Sequence, residues 1–154
     1  MKIVLKRASK EEFTKVVSLS TERFNQTLME MNNGSVSKTK KQARENRILP
    51  QGYDTPGHEI YLIQNEDNIE IGHAWIHFKE SQEKDAYGYD IFIHKNFRGK
   101  GYGRLVLTEA KELLRKRGFQ NLRIHVFADN HVARKLYKKM DFKEQSLYMQ
   151  LSIQ

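Results

Sequence analysis

The chain has 154 residues, of which 38% are hydrophobic and 30% charged, a composition typical of one globular domain, neither disordered nor embedded in a membrane. The absence of cysteine excludes disulfides, thiolate nucleophiles and zinc sites built on sulfur. A formal net charge of +8 favours anionic partners, which include nucleic acid, membrane surfaces and phosphorylated cofactors.

The amino-terminal third predicts one strand and two helices. The apolar run at residues 2–7 is too short for a signal peptide, so we interpret it as a strand of a cytoplasmic protein. Ser9 and Glu12 have the spacing of a capping box, and apolar residues then recur at helical intervals over 13–31. A second, more polar helix is predicted at 35–49. Its basic residues suit a solvated helix face, with nucleic acid or an acidic substrate as the alternative partner: Lys38, Lys40, Lys41, Arg44 and Arg47.

The middle of the chain predicts three strands, at residues 59–64, 69–78 and 86–94. Short polar segments separate them, and such segments form hairpin turns. We therefore expect these three strands to be antiparallel neighbours in one sheet.

The last third predicts helix, strand, helix, strand, at residues 103–117, 121–128, 130–140 and 142–153. A strand–helix–strand step normally forms a right-handed parallel crossover, so one pair of strands should be parallel. The fold class expected is α/β, with a mixed, mostly antiparallel central sheet and helices on both faces. The element order is β-α-α-β-β-β-α-β-α-β. The alternating last strand would leave an edge able to pair with a second subunit in a homodimer.

The sequence NFRGKGYGRL at residues 96–105 joins a predicted strand to a predicted helix. Glycine permits left-handed backbone and close approach, and a helix N-terminus presents unpaired N–H groups, so such a turn binds anions. Nearby basic side chains make a pyrophosphate the natural ligand. Neither a P-loop nor the dinucleotide-binding fingerprint fits, because Arg104 and Leu105 stand where those motifs need other residues.

Two segments resemble the GNAT superfamily of acyl-CoA-dependent N-acetyltransferases. The spacing Arg98-x-x-Gly101-x-Gly103 is similar to the family's R/Q-x-x-G-x-G/A pyrophosphate loop. The segment NHVARKLYKKMDF at residues 130–142 is similar to N-x-x-A-x-x-L-Y-x-x-x-G-F, with Asp141 in place of the usual glycine. Asp tolerates left-handed backbone better than most residues, so we expect a modest cost in stability there.

The resemblance implies acetyl-CoA as co-substrate and no metal. It places the pantetheine arm against the backbone of Phe92 and Ile93, in a gap beside a bulged strand, and it makes Tyr137 the proton donor to the leaving thiolate. Asn130 caps its helix and is also a candidate for binding the cofactor, while the alternative for Tyr137 is an ordinary core tyrosine. The pyrophosphate would be bound by the turn: Arg98, Gly99, Lys100, Gly101, Tyr102, Gly103 and Arg104.

The general base is harder to assign from sequence. Asp90 is the carboxylate nearest the expected cofactor strand, and we select it, with Tyr87, His94 and His125 as alternatives that would act through water. His58, in the predicted loop after the second helix, is a candidate for contact with the acceptor. His73 and His77 are separated by four strand residues, about 13 Å, too far to share one metal ion.

The sequence therefore predicts a single domain over residues 1–154 that transfers an acetyl group from acetyl-CoA to a primary amine. The acceptor would be a small molecule or a peptide, attacked directly in a ternary complex. The alternative is a non-catalytic acyl-CoA-binding module or a basic RNA-associated protein. No RNA-binding aromatic motif accompanies the basic residues, which makes a nucleic-acid partner the weaker interpretation.

Overall fold

The computed structural model describes residues 1–31 and 38–153, and for residues 38–42 the backbone alone. Residues 35–37 of the predicted second helix lie outside this description. Short 3₁₀ turns occur at Gly52–Asp54 and Lys95–Phe97. The strands and helices are β1 (Ile3–Arg7), α1 (Lys10–Met31), α2 (Lys38–Ile48), β2 (His58–Asn65), β3 (Glu70–Phe78), β4 (Asp85–Ile93), α3 (Tyr102–Lys116), β5 (Asn121–Ile124) and α4 (His131–Lys139).

The five strands form one sheet in the order β1-β2-β3-β4-β5. Every neighbouring pair is antiparallel except β4 and β5, which are parallel. The predicted hairpins and the single parallel crossover are thus confirmed. Apolar side chains of α1 cover one face of the sheet around Trp75, and those of α3 cover the other face around Ile76 and Phe78.

The helix ends follow the capping chemistry that the sequence predicts. Ser9 and Glu12 form the reciprocal capping box, with Ser9 N–H donating to Glu12 Oε1 at 3.0 Å and Glu12 N–H to Ser9 Oγ at 3.2 Å. Asn130 Oδ1 accepts from Ala133 N–H at 3.2 Å and so caps α4. Asp141, where the family motif usually has glycine, adopts a left-handed conformation, with φ of 66°.

The prediction of a last strand at residues 142–153 is wrong. Residues 143–153 form no regular secondary structure, and the strand predicted at 121–128 ends at Ile124. The alternating apolar residues of the last segment are 70% exposed or more, as at Leu147 and Ile153. Alternation predicts a strand only where a neighbouring edge supplies hydrogen bonds, and here the chain leaves its own sheet.

A buried carboxylate ties three elements together on the α3 side of the sheet. Glu59, in β2, accepts hydrogen bonds from Arg7 of β1, from Arg117 at the end of α3 (2.8 Å) and from the Tyr61 hydroxyl (2.8 Å). The side chain of Glu59 is 8% exposed, so its charge depends on these donors. The network fixes the carboxyl-terminal end of α3 against the first two strands.

Replacing Glu59 by Gln should lower the free energy of unfolding by about 2 kcal/mol, because the amide cannot replace charge-assisted hydrogen bonds from two arginines. Chemical denaturation at neutral pH measures this loss. Glu83→Gln removes the same charge from an exposed loop and should change stability by less than about 0.5 kcal/mol. Equal losses in the two variants would show that the network contributes nothing.

Candidate active site

A gap opens where β4 and β5 part. The two strands pair only from Asp85 to Gly88 of β4, opposite Asn121 to Ile124. Beyond Gly88, β4 runs on to Ile93 without a strand partner on that side among the described residues. The backbone of the second half of β4 therefore has no strand partner on the side toward β5, where the gap forms the cleft, although the Ile93 carbonyl accepts a hydrogen bond from Arg98 Nε.

A β-bulge turns the side chains at the start of this cleft. On β3, Trp75 lies opposite Asp90 and Ile76 opposite Gly88, which leaves Tyr89 as the extra residue of β4. The bulge shifts the alternation by one residue, so that Tyr89 and Asp90 both lie on the α1 face. Phe92 is on that face too, opposite His73. Simple alternation could not predict which side of the sheet receives Asp90.

The glycine turn follows β4 and leads into α3. Gly99 and Gly101 have φ of 72° and 91°, the left-handed backbone that favours glycine. Gly101 is the residue before the first turn of α3, and its carbonyl accepts from Leu105 N–H at 3.4 Å. Helix geometry leaves the N–H groups of Tyr102, Gly103 and Arg104 without acceptors inside the helix, so the turn can receive an anion.

The space next to Gly99 and Gly101 is open enough for a ligand to approach the backbone of the turn. An ideal Cβ built on Gly99 meets no atom within 4 Å, and one on Gly101 meets only Met1 Cε, at 3.4 Å. Gly103 has another function, since a Cβ there would lie 2.8 Å from Leu136 Cδ2 of α4. The third glycine of the motif thus allows close packing of α3 against α4.

Arg98 links the glycine turn to the end of β4 by a hydrogen bond. Its Nε donates to the carbonyl of Ile93 at 2.7 Å, and its guanidinium lies 5.1 Å from the ring centre of Phe92. Lys100 lies over the ring of Phe97, with 5.7 Å from Nζ to the ring centre. Two of the three predicted basic residues therefore contact the protein itself on the rim of the cleft.

Tyr137 lies on α4, across the cleft from β4. Burial, with a smaller contribution from the negative charge of Asp90, raises the pKa of the Tyr137 phenol above its usual value. The phenol is accordingly protonated at neutral pH and able to donate a proton. The structure thus brings Tyr137 and Asp90, 47 residues apart in the chain, within electrostatic range of one another.

Asp90 is part of a half-buried charge network. Its Oδ2 accepts from Arg23 of α1 and lies 2.9 Å from Nε2 of His73. Burial acts to raise the pKa of Asp90, but the hydrogen bond from His73 and the charge of Arg23 outweigh it, so the pKa lies below its usual value. Asp90 is therefore ionised at neutral pH and held in one orientation.

The other predicted candidates for the general base, and His58, lie in β2 and β4 or just after β4 and β5. Burial raises the pKa of Tyr87, whereas burial and the charge of Arg44 lower the pKa of His125. His94 faces Glu70 at 3.8 Å, on the outer end of β4. His58 begins β2 and is 6% exposed, so its predicted place in a loop is wrong.

His58 belongs to an aromatic surface on the α1 face of the sheet that the sequence did not indicate. Its Nδ1 accepts from Trp75 Nε1 at 3.1 Å, and its ring stacks on His77 at 3.9 Å with an angle of 8°. Tyr89 stacks on Trp75 at 4.9 Å and so joins this surface to Asp90. Trp75 and His58 are buried beneath α1, and the half-buried Tyr89 at the bulge is the member of this surface next to Asp90.

Arg23 is the residue of the site that sequence reasoning missed. Its partners His73 and Asp90 are 50 and 67 residues away in sequence, and its guanidinium lies 3.8 Å from the ring centre of Phe92. No local pattern marks it, because an arginine of α1 that pairs with partners on the sheet looks in sequence like one that faces solvent. Within residues 1–31 and 38–153, no group of three or more His, Asp or Glu side chains is arranged to hold a metal ion.

Comparison with known proteins identifies the class. The model of the Acetyltransferase (GNAT) family matches residues 25–142, more than half of the chain. The chain therefore belongs to this family and is an acetyltransferase, which agrees with the glycine turn, the parted strands and the tyrosine on α4.

Two Bacillus subtilis relatives are similar in sequence. The uncharacterised N-acetyltransferase YycN is 35% identical over 103 residues, 66% of each chain, and the uncharacterised N-acetyltransferase YdgE is 30% identical over 153 residues, 97% of each chain. The crystal structure of YycN has a TM-score of 0.86 at 28% identity and covers 99% of both chains. A protein from Pyrococcus furiosus that is named a putative acetyl transferase shares the fold, with a TM-score of 0.73 at 24% identity. In the described residues, no helix is long and apolar enough to span a bilayer.

Protonation of His58 should destabilise the protein at mildly acidic pH. Burial, with the nearby His77, lowers the pKa of His58 from 6.5 to about 4, so between these values the unfolded chain binds a proton that the folded chain does not. Stability from this source is complete above pH 6.5 and falls as pH decreases toward 4, and the loss amounts to ~2 kcal/mol at pH 5.

Thermal unfolding of the wild type and of His58→Gln across this range tests the effect. The glutamine amide oxygen can still accept from Trp75, and the variant should show a flatter dependence of Tm on pH. His131→Gln replaces an exposed histidine at the start of α4 and should retain the wild-type slope. An unchanged slope in His58→Gln would exclude His58 as the source.

Proposed function

We propose that residues 1–154 act as one acyl-CoA N-acyltransferase domain that transfers an acetyl group from acetyl-CoA to a primary amine. The acceptor would be a small molecule or a peptide, and the reaction a direct attack in a ternary complex. The observation that carries the proposal is the cleft between β4 and β5, which has the glycine turn at one end and Tyr137 on its wall. The absence of cysteine supports direct attack, because no thiol is present to carry an acyl group.

In our proposal the cleft supplies hydrogen-bonding groups for two parts of coenzyme A, the pyrophosphate and the pantetheine arm. In our proposal the free N–H groups of Tyr102, Gly103 and Arg104 bind the pyrophosphate, supported by the charges of Arg98 and Lys100. The backbone at Phe92 and Ile93, which has no strand partner on the side toward β5, would hydrogen-bond the pantetheine amides in the manner of an added strand, with the Arg98 side chain leaving the Ile93 carbonyl. Asn130 already caps α4 and would contribute as a structural residue.

The chemistry requires two proton transfers. As the amine nitrogen attacks the thioester carbonyl, a C–N bond forms, the C–S bond breaks, and the thiolate takes a proton. We assign that proton to the Tyr137 hydroxyl, whose raised pKa keeps the phenol protonated until the thiolate forms. A positioned acid of this kind contributes roughly 10²- to 10⁴-fold to the rate.

Asp90 is our proposal for the group that receives the proton of the amine. It is ionised, oriented by Arg23 and His73, and preceded at the bulge by the half-buried Tyr89, whose ring would contact the acceptor. Its lowered pKa makes it a weaker base than an ordinary aspartate, so in our proposal it receives the proton only after attack has made the amine nitrogen positively charged and acidic. Arg23 and His73 act as positioning residues.

The alternative function, an acyl-CoA-binding or RNA-associated module without catalysis, is favoured only by the net charge of +8. Calorimetry with acetyl-CoA and with RNA at two salt concentrations separates the two. RNA affinity should fall steeply with salt, whereas specific binding of coenzyme A should remain. Tight, salt-resistant RNA binding without thiol release from acetyl-CoA would favour the alternative.

Replacing Tyr137 by Phe should lower kcat by roughly 10²- to 10⁴-fold and leave affinity for acetyl-CoA nearly unchanged, because only the proton donor is lost. Thiol release with a panel of amines measures turnover, and calorimetry measures affinity. Tyr148→Phe, at a fully exposed position, is the matched control and should behave as the wild type. Equal turnover of Tyr137→Phe and wild type at every pH would remove Tyr137 from the mechanism.

Replacing Gly101 by Val should abolish measurable acetyl-CoA binding, because a β-branched residue resists a φ of 91° and covers the N–H groups behind it. Gly118→Val is a matched control: Gly118 also has a positive φ, 79°, but lies at the other end of α3. Both variants should lose stability, and only Gly101→Val should lose binding. Similar binding by the two variants would contradict a pyrophosphate site in the turn.

A further inference from the structure

Arg44 is a half-buried cation beside the cleft that the proposed mechanism does not use. It belongs to α2, and its guanidinium lies over the ring of Phe24 of α1, 3.7 Å from the ring centre. One helical turn after Arg44, on the same face of α2, Ile48 packs against the core cluster beneath α1, as Tyr89 does. This face of α2 therefore holds Arg44 on the α1 side of the sheet, near the bulge of β4.

The charge of Arg44 acts on the groups around the bulge and the end of β5. Burial raises the pKa of Tyr87 and of Tyr89, and the charge of Arg44 opposes that rise. Burial lowers the pKa of His125, and Arg44 adds to that fall. Asp90 in turn acts on Arg44. The cation therefore lies at the same end of the cleft as the carboxylate that we propose to receive the amine proton.

Aromatic rings accompany the guanidinium at this end of the cleft. The ring of Phe24 lies 5.4 Å from that of Phe127, which contacts His125 edge-on at 5.0 Å. Tyr87 and Tyr89 of β4 contact each other edge-on at 4.6 Å. Apart from the exposed His125, these rings are half-buried, so each keeps an accessible part. Rings of this kind contact the carbon skeleton of a small ligand, and a few polar groups then fix its orientation.

Arg44 has no counter-charge of its own. Asp90, the carboxylate that acts on it, already accepts from Arg23 and lies 2.9 Å from Nε2 of His73. In the part of the chain whose side chains the structure describes, no acidic residue forms an ion pair with Arg44. Burial lowers the pKa of Arg44, yet a guanidinium stays charged at neutral pH. An anion bound beside it would offset the cost of that burial.

We infer that Arg44 binds an anionic group of the acceptor, so that the acceptor is a small amine that also carries a carboxylate or a phosphate. The inference rests on the proposed acetyl transfer and names the class of its acceptor. In the complex the amine faces Asp90, and the anion accepts two parallel hydrogen bonds from the guanidinium. A polycationic acceptor would place like charge against Arg44 and is therefore disfavoured.

Matched pairs of amines test the requirement for an anion in the wild-type protein. Phenylalanine and phenylalaninamide share one skeleton and differ in the carboxylate, and phosphoethanolamine and ethanolamine make the same comparison for a phosphate. In thiol-release assays with saturating acetyl-CoA, the anionic member of at least one pair should have a kcat/KM about 10-fold higher or more. The pair that shows this preference identifies the anion.

The results separate this inference from the proposed function. Thiol release without preference for the anionic member of either pair would overturn the inference and leave acetyl transfer to amines in place. Calorimetric binding of acetyl-CoA without thiol release for any of the four amines would count against the proposed function, and the inference would fall with it.

Three variants assign the preference to Arg44. In Arg44→Gln the ratio of kcat/KM for the anionic amine to that for its neutral partner should fall about 10- to 100-fold, through KM for the anionic amine rather than through kcat. Arg44→Lys keeps the charge but lacks the planar fork, so its ratio should be intermediate. Arg47→Gln removes the same charge from an exposed position of α2 and should keep the wild-type ratio. An unchanged ratio in Arg44→Gln, or an equal fall for both members of a pair, would overturn the inference.

Discussion

The early end of β5 is the constraint on which the rest of the site depends. Only four residues of β5 pair with β4, and the bulge at Tyr89 lies just beyond the last pair. Had β5 continued, its hydrogen bonds would have occupied the peptide groups of β4 up to Ile93. Instead this side of β4 has no strand partner, the glycine turn directly follows it, and α4 lies across the cleft. Cofactor binding and catalysis in our proposal are both consequences of this one interrupted pairing.

The charges around the cleft are arranged so that the buried ones are paired. Asp90 is held by Arg23 and His73, and Glu59 by Arg7 and Arg117, on opposite faces of the sheet. Burying an unpaired carboxylate would cost several kcal/mol, so each network fixes the elements that supply its arginines. The first network orients a group beside the cleft, whereas the second holds the end of α3 whose amino terminus forms the turn.

The sequence predicted most of the fold and the backbone part of the site. The capping box at Ser9 and the cap at Asn130 were recognisable because each depends on residues within four positions of one another. The glycine turn belongs to the same class of local signals. Arg23 and the aromatic surface around His58 could not be predicted, since their contacts join residues of different elements far apart in the chain.

The sequence by itself determined the order and type of nearly every helix and strand, the family, and the placement of Tyr137 on the last helix. These features were predictable because the spacing of apolar residues, the composition of turns and the spacing of motif residues are local properties. Tertiary structure alone decided which face receives Asp90, since a one-residue bulge reverses the alternation on which any sequence argument relies. Tertiary structure also decided whether the last apolar segment forms a strand. The alternation of apolar and polar residues indicates that residues 147–153 can form a strand. Whether they do depends on which strand edge of a sheet is free to pair with them.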